Sequence, residues 1–151
     1  MRFVLPALLL LVSIPAHAQG TPDPGLIVIR SSHSVAATLD KLEAIVTKKG
    51  FTVFARIDHA AGARKVGKSL RPTQLLIFGN PKVGTALMSA RQSVGLDLPI
   101  RVAAWEDEDG GVWVGYNDPA WLASRYGIKG RDKVIAKMTG ALAKLTGAAA
   151  R

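Results

Sequence analysis

The chain has 151 residues, no cysteine and a formal charge of +9, from 20 Lys and Arg against 11 Asp and Glu. That length suits one domain with a sufficient core, and the missing cysteines exclude disulfides, thiolate metal ligands and a cysteine nucleophile. The basic balance attracts anions, yet the cations are scattered from Arg64, Lys65, Lys68 and Arg71 to Lys133, Lys137 and Lys144 rather than gathered in a stripe.

The first residues predict an address. Met1-Arg2 supplies a positive start, Phe3 to Ile14 is apolar apart from Pro6 and Ser13, and Ala16-His17-Ala18 is a small-x-small cleavage signal before Gln19. The expectation is a signal peptide over 1–18, cut after Ala18, and a secreted or periplasmic product. No membrane span is expected, because the leader is too short and no later run approaches the length a spanning helix needs. Nucleic acid is not an expected partner of an exported chain, and no Cys follows the leader to carry a lipid.

Gln19 to Pro24 reads as a flexible lead, and residues 25–146 as a single domain. Gly25 to Ser31 predicts a first strand. Ser34 caps a helix with Val35, Leu39, Leu42 and Ile45/Val46 on one face, stopped at Gly50. Phe51, Val53, Ala55 and Ile57 alternate with more polar neighbours as a second strand, and Asp58 caps a short Ala-rich turn from His59 to Val66. Thr73 to Phe78 is apolar on both faces and so a central strand. Its helix runs from Pro81 to about Arg91.

Leu98 to Ala104 and Val112 to Tyr116 are two strands joined through Glu106-Asp107-Glu108-Asp109-Gly110-Gly111 as a hairpin. Asn117-Asp118-Pro119 opens another helix, ending near Tyr126-Gly127. The last helix, Asp132 to Leu145, carries Val134, Ile135, Met138, Leu142 and Leu145 as its apolar stripe, and residues 147–151 are expected to fray. This order predicts an α+β fold, an α/β sandwich with a mixed five-stranded sheet containing a hairpin and packed by helices.

The junction from Phe78 to Thr85 is the leading candidate site. Asn80 suits an N-cap and Pro81 the first helical position, which would leave the amides of Val83, Gly84 and Thr85 pointing outward at the positive end of the helix dipole. Lys82 and Thr85 add a charge and a hydroxyl, and Arg71 can grip a carboxylate by two hydrogen bonds. A small anion is the ligand this pattern suggests. It is no P-loop, because Thr85 stands where the motif after Gly79 and Gly84 requires Lys.

Asp58-His59 pairs a carboxylate with an imidazole at a strand end, and Glu106 beside Trp105 sits where burial would suit it to proton transfer. These make His59 and Glu106 the candidate catalytic groups. Two histidines after the leader, His33 and His59, without cysteine predict no metal site, and the acidic run fails the calcium-loop pattern because Val112 falls where glycine is needed. No nucleophile elbow appears, and no cofactor is indicated.

Three segments carry a family resemblance: Asp58-His59 with Lys65-Val66-Gly67; the run Leu70 to Thr85; and Leu96-Asp97-Leu98-Pro99 with Trp105-Glu106-Asp107. On these the chain resembles the domain-of-unknown-function family DUF302 from about Gly25 to Ile128. The resemblance implies a compact α/β domain, commonly homodimeric, with no established reaction. The first functional expectation is therefore a dimeric binding or accessory module for a small anionic ligand. The alternatives are a small enzyme using His59 or Glu106, and a purely structural or interaction protein.

Overall fold

The computed structural model describes residues 24–151. The expected signal peptide and most of the lead lie outside the described residues. The strands are β1 (Leu26–Ser31), β2 (Thr52–Asp58), β3 (Thr73–Gly79), β4 (Ile100–Glu106) and β5 (Val112–Asn117). The helices are α1 (Val35–Lys48), α2 (His59–Lys65), α3 (Pro81–Met88), α4 (Pro119–Arg125) and α5 (Asp132–Ala149), with a 3-10 turn at Gln92–Leu96.

The sheet order is β1-β5-β4-β3-β2 and every neighbouring pair is antiparallel. The α+β class stands, but the sheet is antiparallel throughout rather than mixed. The reason is the path of α1. It carries the chain from one edge strand to the other, so β1 and β2 run in the same direction without touching.

The caps follow the local chemistry. The side chains of Ser34, Asp58, Asn80 and Asp118 accept from the amides of Ala37, Ala61, Lys82 and Ala120 at 3.3, 2.8, 3.0 and 3.0 Å. Each satisfies an amide that a helix start leaves without a partner. Gly50, at φ 77°, ends α1 in the left-handed region.

One face of the sheet is the core. Leu76, Phe78, Val102, Ala104, Val114 and Tyr116 point from β3, β4 and β5 toward Leu39, Leu42 and Val46 of α1 and Met138, Leu142 and Leu145 of α5. On edge strand β2 the same face carries Arg56, whose guanidinium donates to Gln74 Oε1 at 2.8 Å and reaches Asp40 and Glu43 on α1. These bonds fasten α1 to the sheet edge beside Val53, which packs against the core from the same strand.

The tail does not fray. α5 continues to Ala149, Ala149 and Ala150 are buried, and the Ala150 carbonyl accepts from Ser32 N at 2.8 Å and from Ser32 Oγ at 3.0 Å. The small side chains of Ala148–Ala150 read locally as a weak end, but they let the chain settle against the loop between β1 and α1.

Candidate functional site

The register separates the expected site residues into two groups. Asp58 pairs with Gln74 and Thr73 with Trp105, so His59, Arg71 and Glu106 lie at one end of the sheet. Thr52 pairs with Gly79 and Phe78 with Ile100, so Asn80, Lys82 and Thr85 lie at the other, roughly 20 Å along β3 at the usual strand rise. Arg71 and Asn80 therefore do not share a site, because a full strand stands between them.

At the first end, His59 is exposed on the opening turn of α2, while Glu106 closes β4, two strands inward from β2. No hydrogen bond joins them among the described residues. Arg71 Nε donates to the Glu106 carbonyl at 3.2 Å, which makes it a tie across the strand ends rather than a free guanidinium. His33 follows β1, at the opposite sheet edge from His59, and no cluster fit to hold a metal occurs among the described residues.

The acidic run is organised by Asp107 alone. Its carboxylate accepts from the Trp113 indole N–H at 2.6 Å and from the amides of Gly111 and Asp109 at 2.6 and 3.0 Å. The Trp113 bond, ahead of the two amides, holds the Asp107 carboxyl below its ordinary value. The run is a hairpin clasp.

At the second end the amides expected to face a ligand are already taken. Lys82 N donates to the Asn80 side chain at 3.0 Å, and Val83 N and Gly84 N both donate to the Asn80 carbonyl at 3.0 Å. The anion-binding helix tip is thus corrected: the first turn is closed by its own cap residue. What lies beside it is a cleft of about 760 Å³.

The cleft is apolar within and basic at its mouth. Phe51, Phe78, Val83 and Met88 meet Leu98 and Pro99 on one side and Val134, Met138, Leu142 and Leu145 of α5 on the other. Phe78, Leu142 and Leu145 are buried, and Phe51 meets Phe78 edge-to-face with ring centroids 5.8 Å apart. Lys49, Lys82, Lys133 and Lys137 are exposed around it, and no Asp or Glu lines it. Asn80 and Thr85 also line it.

Its walls are tied together by polar contacts. Arg131 Nε donates to the Ala86 carbonyl at 3.0 Å, joining the start of α5 to α3. On the other wall Arg101 Nη2 donates to the Leu96 carbonyl at 2.7 Å and to Asp97 Oδ1 at 2.6 Å, while Tyr126 Oη donates to Asp97 Oδ2 at 2.6 Å. The Asp97 bond pushes the Tyr126 phenol above its usual value, so the hydroxyl keeps its proton and remains a donor.

Lys133, Lys137 and the aromatic pair Phe51 and Phe54 escape a sequence reading of this site. The one signal available was local: two lysines spaced i, i+4 beside Val134 and Met138 mark a helix edge where an apolar stripe meets a basic one.

The comparisons agree with this architecture. A crystal structure of an uncharacterized conserved DUF302 protein from Bacillus stearothermophilus superposes with a TM-score of 0.75 at 19% identity, covering 85% of this chain and 99% of that one, which is a likeness of fold. Among curated proteins, Fluoride-specific ion channel FluC 1 of Brucella suis biovar 1 (strain 1330) is 49% identical over 120 residues, 78% of this chain and 47% of that protein. The FluC 1 protein of Brucella abortus biovar 1 (strain 9-941) matches at the same identity over 44% of its length, so the chain spans less than half of these relatives. The family described as "Domain of unknown function DUF302" matches residues 27–145, and with that span of the chain accounted for, the protein belongs to the DUF302 family.

Proposed function

We propose that this domain is a binding module whose cleft holds a ligand with an apolar body and an anionic head. The observation that carries the reading is the pairing of a buried floor, Phe78, Leu142 and Leu145, with Lys49, Lys82, Lys133 and Lys137 around one opening. A volume of about 760 Å³ lies within the range of small-molecule sites. A small inorganic anion would leave that floor wet. An acyl chain buries apolar surface at about 25 cal/mol per Å², while the lysines select the sign of the head group.

The test is a thermal-shift series with dodecanoate, dodecanol, acetate and phosphate. Dodecanoate at a hundredfold excess over its Kd is expected to stabilise the domain by about 2.7 kcal/mol, a rise of several degrees in Tm, with acetate and phosphate inert and dodecanol weaker. An Ala141→Trp variant, which places an indole into the cleft, should fold and lose the response. A shift that survives Ala141→Trp, or none with dodecanoate, defeats the reading.

A second reading draws on the Brucella relatives, in which a stretch 49% identical to this chain belongs to longer proteins named as fluoride-specific channels. In that reading the domain is an accessory to ion handling. Sodium fluoride in the same series separates the two, since stabilisation by fluoride alone favours the accessory role.

An exported homodimer completes the proposal. Its support is the leader-like pattern of residues 1–18 and the second face of the sheet, where Leu26, Val28 and Ile57 are exposed on the side that also carries Trp105 and Trp113. Light scattering should give twice the protomer mass, and N-terminal sequencing of the cell product should begin at Gln19. A monomer or a retained Met1 removes the corresponding half.

A further inference from the structure

We infer that the mouth of the cleft is a contact surface for an anionic lipid bilayer. The inference deepens the amphiphile reading and rests on it for the cargo, which the surface would supply. Two large apolar side chains stand in solvent at this mouth: Phe54, 55% exposed, lines the cleft, and Leu96, 76% exposed, lies between Gly95 and Leu98, which also line it.

The segment that carries Leu96 is pinned. Arg101 bonds its carbonyl, and Asp97 next to it is fixed by both Arg101 and Tyr126. These three hydrogen bonds fix the backbone that carries the exposed Leu96 side chain. Two large apolar side chains in water beside one apolar cleft are what an apolar phase in front of it would cover.

Charge selects which apolar phase. Lys49, Lys82, Lys133 and Lys137 surround the same opening, none in an ion pair among the described residues, and the run Glu106–Asp109 is at the far end of the sheet. Lysines ringing protruding aromatic and aliphatic side chains are the combination that seats a protein at the headgroup boundary of an anionic leaflet. A protein partner with an acidic, apolar patch would present the same signs, but the cleft between these residues leads to a floor sized for a single acyl ligand, which a bilayer contains and a folded partner does not.

Vesicle sedimentation tests this. The intact chain without its leader should bind vesicles of phosphatidylcholine mixed with phosphatidylglycerol and bind phosphatidylcholine alone weakly. Lys82→Gln with Lys133→Gln should weaken the partition by about fivefold per charge, the factor equivalent to about 1 kcal/mol for each lysine near the surface. Leu96→Ser, outside the cleft lining, should weaken vesicle binding while leaving the dodecanoate shift intact. Ala141→Trp should do the reverse, abolishing the dodecanoate shift and keeping vesicle binding. Equal binding to both vesicle types, or binding unchanged by the lysine pair and by Leu96→Ser, overturns the membrane surface whatever the dodecanoate result. Loss of the dodecanoate response alone overturns only the cargo.

Discussion

Replacing Phe78 with alanine is expected to lower folding stability by about 3–5 kcal/mol. Phe78 is 1% exposed and sits on β3, between β2 and β4, with its ring edge-on to Phe51. Its removal deletes apolar contact to the helices above the sheet and joins the vacated volume to the cleft beside it. Against a typical total of about 5–15 kcal/mol, that loss brings the domain near its unfolding threshold. Urea denaturation should show a lower midpoint with an unchanged slope, and Phe78→Leu should lose much less. A cost under about 1 kcal/mol would mean that Phe78 is not the packed floor described here.

The second large effect is expected from Gly25→Ala, at about 2–4 kcal/mol, combining a positive-φ penalty with overpacking. Gly25 has φ 89°, and a Cβ built there would fall 2.1 Å from Trp121 Cγ and 2.3 Å from Cδ2. Cγ is the stem of the indole, so no small swing of the ring relieves the overlap. The Gly25 carbonyl also accepts from Asp118 N at 2.7 Å, which fixes the start of β1 against the beginning of α4. Thermal denaturation should show a fall in Tm of several degrees or more. A Gly25→Ala, Trp121→Ala double variant isolates the conformational part, because the collision is gone and only the left-handed backbone remains. Gly25→Ala that melts with the parent would show that this turn does not hold the glycine conformation.

Much of the local structure was legible because its causes are local. Asn80-Pro81 and Asp118-Pro119 announce helix starts through a capping side chain followed by a residue with no amide hydrogen to satisfy, and both helices begin there. The doubly apolar β3 reports its neighbours directly, but the alternation expected of β2 breaks at the bulge between Val53 and Ala55, which keeps Val53 over the core, turns Ala55 and Ile57 to the other face and leaves Arg56 on the core side. Where α3 stops at Met88, short of the expected end near Arg91, and a separate 3-10 turn follows at Gln92–Leu96, the pattern offered no sign of either.

The candidate site was half legible for a related reason. The position of the Phe78 to Thr85 junction beside an opening follows from a strand running into a helix, but its chemistry does not. Asn80 closes the amides of Lys82, Val83 and Gly84 with its side chain and its carbonyl together, so the expected anion cradle is filled by the chain itself. Arg71, nine residues earlier in sequence, is removed from that site by the length of β3 and spent on the Glu106 carbonyl.

Residue order alone determined the α+β class, the caps, the hairpin and the family to which the chain belongs, because each rests on contacts between near neighbours or on a continuous motif. Only the tertiary structure decided that α1 spans the sheet from edge to edge, which makes every strand pair antiparallel, and that α5 lays Val134, Met138 and Leu142 opposite Phe51 and Phe78. A cleft built from segments more than 80 residues apart has no signature in any one of them, since its apolar floor and its ring of lysines exist only when those segments meet.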